Sequence, residues 1–208
     1  MYKDTNNILT ISAKVLSILL HPLFVPTYAF LWLAFAHVIS ENVMFNVVAV
    51  SSTFVFTGLI PLGSILLLKK QKRITSISLD IASERTYPYI YAAVAYSFWV
   101  YLVWFVMHIP TYLVAICIEV IVLVVIVALI NSKWKISAHL ASWGCFTGGV
   151  FITAAATGAL SNWLIIIMLT IALLLMYSRI YLKSHDGLQV IAGFILGLLI
   201  TAPALFFL

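Results

Sequence analysis

Long apolar runs, each about the length that crosses a bilayer as a helix, recur along this 208-residue chain and decide what it can become. They fall at about residues 12–37, 44–68, 89–107, 112–130, 139–158, 162–182 and 188–207. Inside hydrocarbon a segment has to satisfy its own backbone hydrogen bonds, which a helix does and an isolated strand does not. The runs also lack the in-out alternation of a membrane barrel and are about twice as long as its strands. Composition agrees, because 64% of the residues are hydrophobic and 8% charged, against about 25% charged in soluble domains, and the mean hydropathy is +1.17. The expectation is an all-α, polytopic transmembrane helix bundle with about six to seven spans. Residues 1–208 then form a single integral membrane domain, with no separate soluble unit.

The first run is interrupted by His21-Pro22 and Pro26 and lacks a small-residue cleavage site, which predicts a retained span rather than a signal peptide. Cys117 and Cys145 fall within apolar runs, as packed thiols do; no disulfide, metal or other cofactor is expected. Gly144 with Gly148, and Gly193 with Gly197, have the spacing that lets two helices approach closely. Trp99, Tyr101, Trp104 and Tyr112 suit an aromatic belt at a membrane interface.

Threading seven spans alternately across a bilayer puts the N-terminus and segments 69–88, 131–138 and 183–187 on one side, with all 11 Lys and Arg residues. The opposite connections, near Ser40-Glu41, His108-Pro110 and Ser161-Asn162, carry none. By the positive-inside rule the basic side is cytoplasmic, and seven cations, Lys3 and Lys14 among them, still support that side when those suited to binding an anion are set aside. Lys69, Lys70, Lys72 and Arg73 form a run suited to anionic lipid headgroups. The net charge of +5 therefore concerns lipid surfaces. Cations spread over loop ends at one membrane face do not make a nucleic-acid reader, so no nucleic-acid partner is expected.

Three of these same-side segments carry the residues with chemistry: Glu84-Arg85 with Pro88; Lys135-Ile136-Ser137-Ala138-His139; and Ser178-Arg179, five residues, His185, three residues, Gln189. Two arginines and two histidines at the ends of different helices suit gripping a phosphate and moving it. Arg offers a planar fork of donors matched to phosphate oxygens. Ser137 and Ser184 stand where helices can begin, and a helix N-terminus favours an anion. One neutral imidazole can attack phosphorus while a second, protonated, supplies a proton to the leaving oxygen.

The last segment resembles the third signature of the type 2 phosphatidic acid phosphatase superfamily: serine-arginine, five residues, histidine, three residues, aspartate. Every spacing is kept and Gln189 replaces the aspartate. Ile136-Ser137-Ala138-His139 shares the serine and histidine of the second signature. Arg85-Thr86-Tyr87-Pro88 is similar to the arginine-proline of the first with two residues inserted, and Ser78 stands where that signature has lysine. The resemblance covers about residues 70–200. It implies a metal-free phosphatase working through a phosphohistidine, with His185 as nucleophile, His139 as general acid, Arg179 and Arg85 as phosphate clamps, and Ser137 as a further donor. Gln189, one turn from His185, would fix its tautomer without supplying charge. Lys133 or Lys183 would stand in for the missing lysine, and Asp186 is a weaker candidate to replace the missing aspartate, since on a helix it points about 100° away.

The implied partner is a membrane lipid bearing a phosphate or diphosphate, acted on at the headgroup level of what is expected to be a bacterial inner membrane. Family habit places the site on the outer face, whereas the charge bias places it inside. A second reading, prompted by Gln189 and Ser78, is a family member that binds a lipid phosphate or a membrane partner without turnover. A small transporter ranks third, on the strength of Glu119 within its apolar run. For Glu119 a structural bond to a neighbouring helix is favoured. Asp80 and Glu84 read as salt-bridge partners of nearby cations, Glu84 also as an orienter of Arg85, and His21 and His37 as packing or interface residues.

Overall fold

The computed structural model describes residues 8–79 and 81–203. Lys3 and Asp80, and residues 204–207 of the last apolar run, lie outside them. Among the described residues all regular structure is helical: α1 (Ile8–Leu19), α2 (Val25–Phe35), α3 (Val43–Thr53), α4 (Ile60–Lys70), α5 (Thr86–Tyr101), α6 (Thr111–Asn131), α7 (Ala138–Ala156), α8 (Asn162–Tyr181) and α9 (Gly187–Thr201). A π-helical segment, Phe54–Leu59, joins α3 and α4 into one helix, Val43–Lys70. Among the described residues, four helices are long and apolar enough to cross a membrane: Val43–Lys70, Ala82–Val106, Thr111–Asn131 and Asn162–Tyr181. Their outward faces leave Phe98, Trp163 and Leu173 exposed, as a hydrocarbon surrounding permits.

Prolines and caps set most of the boundaries. The single run expected at 12–37 is two helices, α1 and α2, broken over 20–24 where Pro22 cannot donate to the helical ladder. Pro26 and Pro88 fall in the first turns of α2 and α5, and Pro110 just before α6, where no intrahelical donor is missed. Pro61 explains the π segment: Thr57 O loses its helical donor, and the Tyr96 hydroxyl donates to it instead at 3.3 Å. Ser137 and Ser161 cap α7 and α8. At α9 the cap is Asp186 rather than Ser184, its carboxylate accepting from Gln189 N at 2.8 Å.

The closest packing joins α7 to α9. A Cβ added at Gly144 would lie 2.1 Å from Phe194 O, and one at Gly197 would lie 2.1 Å from Ala141 O. Gly144, Gly193 and Gly197 therefore serve backbone approach, and Gly148 makes room for the Thr201 side chain. Trp99 departs from the expected belt: it is 1% exposed and donates to Thr53 Oγ1 at 3.0 Å, while Tyr101 and Trp104 do face outward.

Candidate functional site

One end of the bundle collects the polar residues. Arg85 precedes α5, His139 lies in the first turn of α7, Arg179 in the last turn of α8, and His185 just before α9. All four line a single cavity with about 1310 Å³ of space not filled by atoms, part of it open to the surroundings.

The turn after α8 explains the five-residue spacing between Arg179 and His185. Ser184 N donates to Arg179 O at 3.1 Å and Lys183 N to Ile180 O at 2.9 Å, with Lys183 in the left-handed region at φ 56°. This is a Schellman motif, which reverses the chain within a few residues of the helix end. His185 N also donates to Arg179 O, at 3.3 Å, so the histidine folds back over the arginine's own turn.

His185 is 7% exposed. Its Nδ1 lies 2.8 Å from Gln189 Oε1 and 3.3 Å from Lys135 O. Both partners are carbonyl oxygens, so Nδ1 carries the proton and Nε2 keeps its lone pair. Burial lowers its pKa to about 4; the Gln189 bond opposes that shift, while Arg85, Arg179 and Lys135 add to it. The ring is thus held neutral with a free nitrogen.

The two arginines are 6% and 7% exposed. Arg85 donates through Nε to Leu79 O at 2.7 Å and through Nη1 to Asn131 Oδ1 at 3.3 Å. Asn131 in turn donates to Ala82 O. Arg179 Nη1 donates to Ser17 Oγ at 3.2 Å; that hydroxyl bonds Ser178 Oγ at 2.8 Å, which donates to Ala13 O. His139 Nε2 donates to Ser17 O at 3.2 Å, leaving Nδ1 as its open nitrogen. No Asp or Glu lines the cavity among the described residues. With Arg85 and Arg179 both lining it, the polar end of the cavity is rich in positive charge.

The remaining site expectations divide. Ser137 is fully buried as the α7 cap, and its N–H donates to Gln189 O at 3.3 Å, which pins α7 to α9 without reaching the cavity. Gln189 holds His185 as expected. Asp186 is committed to capping. Lys133 and Lys183 are exposed and do not line the cavity; Lys183 supplies the left-handed turn instead, so neither replaces the missing lysine. Ser78, at the position the resemblance gives to lysine, does line the cavity. Glu84 accepts from Thr75 N and Oγ1 at 3.0 and 3.1 Å rather than orienting Arg85. His37 pairs with Glu41 at 3.3 Å on an exposed surface. Glu119 is buried in α6 away from the cavity lining.

His21 was expected to be a packing or interface residue; it lines the cavity, its ring edge-on to His139 with centroids 5.0 Å apart. Leu23 N donates to its Nδ1 at 3.3 Å, so its Nε2 carries the proton. Ser17 and Asn131 gave no sequence signal beyond being polar in apolar helices, whereas His21 was signalled by the His-Pro break in the first apolar run.

Compared with known protein families, curated proteins and solved structures, the chain matches none.

Proposed function

We propose that this chain is an integral membrane lipid phosphatase acting on a lipid phosphate or diphosphate through a phosphohistidine. The observation that carries the reading is the convergence of Arg85, His139, Arg179 and His185, from three distant segments, on one cavity with His185 Nε2 unprotonated. Arg85 and Arg179 hold the phosphoryl oxygens. His185 Nε2 attacks phosphorus and the bond to the leaving oxygen breaks. His139, protonated at Nδ1, gives that oxygen its proton. Water then attacks the phosphohistidine with His139 as base, releasing phosphate and restoring His185. The helices beyond the four long ones complete about six to seven spans in a bacterial inner membrane, with the basic end cytoplasmic.

Phosphate release by the purified protein in mixed micelles, from a panel of lipid phosphates and polyprenyl diphosphates, is the test. The wild type releases phosphate and His185→Ala loses at least about 10³-fold, as nucleophile removal does. Full hydrolysis by a folded His185→Ala protein overturns the mechanism. A second reading, a lipid-phosphate binder without turnover, draws on the uncharged Gln189 behind His185; saturable binding with no release from any substrate selects it.

A further inference from the structure

The cavity extends well beyond its polar end. Its polar residues gather at one end, and from there it continues between α2, α5, α6 and α7. On α7 the lining residues Ser142, Phe146, Gly149 and Thr153 follow at helical spacing, and α6, running the other way, lines it from Val127 to Ile116. At about 1.5 Å rise per residue, His139 to Thr153 covers about 21 Å, more than the roughly 15 Å of hydrocarbon in one leaflet.

The wall offers little to a polar guest. The Tyr96 hydroxyl is spent on Thr57 O, and Thr153 Oγ1 donates to Gly149 O at 2.8 Å. At the deep end Trp32 Nε1 donates to Thr153 Oγ1 at 3.0 Å, which ties α2 to α7 across the cavity. Partway along, a Cβ added at Gly149 would meet nothing within 4 Å, so this glycine faces open space.

We infer that the cavity is a length-selective sleeve for one hydrocarbon chain of the substrate, floored by the Trp32–Thr153 bond. The inference rests on the lipid-phosphate reading for what sits at the polar end. With carbon–carbon bonds of about 1.5 Å, an extended chain advances about 1.25 Å per carbon, so about fifteen carbons fill the sleeve below the headgroup. A chain moving from lipid into an apolar protein wall gains little. Selection therefore works by exclusion: a longer chain has to bend against the floor, in an interior that resists extra volume.

The test presents an equimolar series of saturated monoalkyl phosphates, ten to twenty-two carbons in all, to the protein in nanodiscs at roughly the lengths this sleeve discriminates. Bound species are read by native mass spectrometry, and phosphate release is measured in parallel. In the wild type, occupancy falls at least about tenfold beyond roughly sixteen carbons. Gly149→Leu plugs the sleeve one turn above the floor and moves the cut-off down by about five carbons, while Trp32→Ala removes the floor and moves it up. Opposite shifts in two variants exclude a general loss of fold. A bound distribution that mirrors the supplied mixture in all three proteins, or no binding at any length, overturns the sleeve. Length-dependent binding without phosphate release refutes the phosphatase and leaves the sleeve standing.

Discussion

At His185 the decisive quantity is which ring nitrogen carries the proton. Two carbonyl oxygens, from Gln189 and Lys135, hold Nδ1–H, and burial with the nearby cations keeps the ring neutral down to about pH 4. The sign follows directly: the reactive neutral form is present above that pKa and is lost as pH falls through it. The pH profile of kcat/KM, which reports free-enzyme groups, therefore shows the His185 acid limb near 4 rather than near the ordinary histidine value of about 6.5. Gln189→Asp places a carboxylate behind the ring, favours the imidazolium and moves that limb upward, with faster turnover at neutral pH. A limb that stays put contradicts the assignment. Arg85, His139, Arg179 and His185 were legible in the sequence because each sits in a spaced polar motif between apolar runs. Ser17 was not, since its role is created by a contact with Arg179 across 162 residues. Lys133 and Lys183 were misread because a nearby charge says nothing about where a turn points it.

At the scale of elements, the end of α8 positions His185. Lys183 occupies the left-handed turn residue at φ 56°, a conformation that costs a non-glycine residue about 1–2 kcal/mol. Lys183→Gly therefore raises stability by about 1 kcal/mol, read as a higher melting temperature, and leaves phosphate release within about twofold because the side chain is exposed away from the cavity. A large loss of activity with the fold intact would return Lys183 to the phosphate site. Helix existence was legible from the apolar runs, and six of the seven correspond to helices in the described residues. The first run was not legible as two helices, because averaged hydrophobicity ignores the donor that Pro22 lacks. The approach of α7 and α9 was foreshadowed by paired glycines, but its service to the site, placing Ser137 and His139 beside the start of α9, depends on a packing that no local pattern encodes.

For the whole molecule, an all-helical bundle with apolar outer faces gathers its buried cations at one end, beside a cavity that runs deep between helices. That end joins segments the charge bias assigns to the cytoplasm. Cysteines 117 and 145 are buried, so single cysteines at Ser40 and Gln71 report cleanly to an impermeant thiol reagent in intact cells. Labelling at Ser40 and protection at Gln71 match the proposed orientation; the reverse pattern puts the site on the outer face. The central claim is that His185 forms a covalent bond to phosphorus. The direct measurement is rapid quench of the protein with a phosphorus-labelled lipid phosphate, followed by mapping of any acid-labile, base-stable phosphoryl group. The account predicts label on His185 in the wild type and none in His185→Ala. Steady turnover with no label on His185 at any time, or with label on another residue, would contradict it.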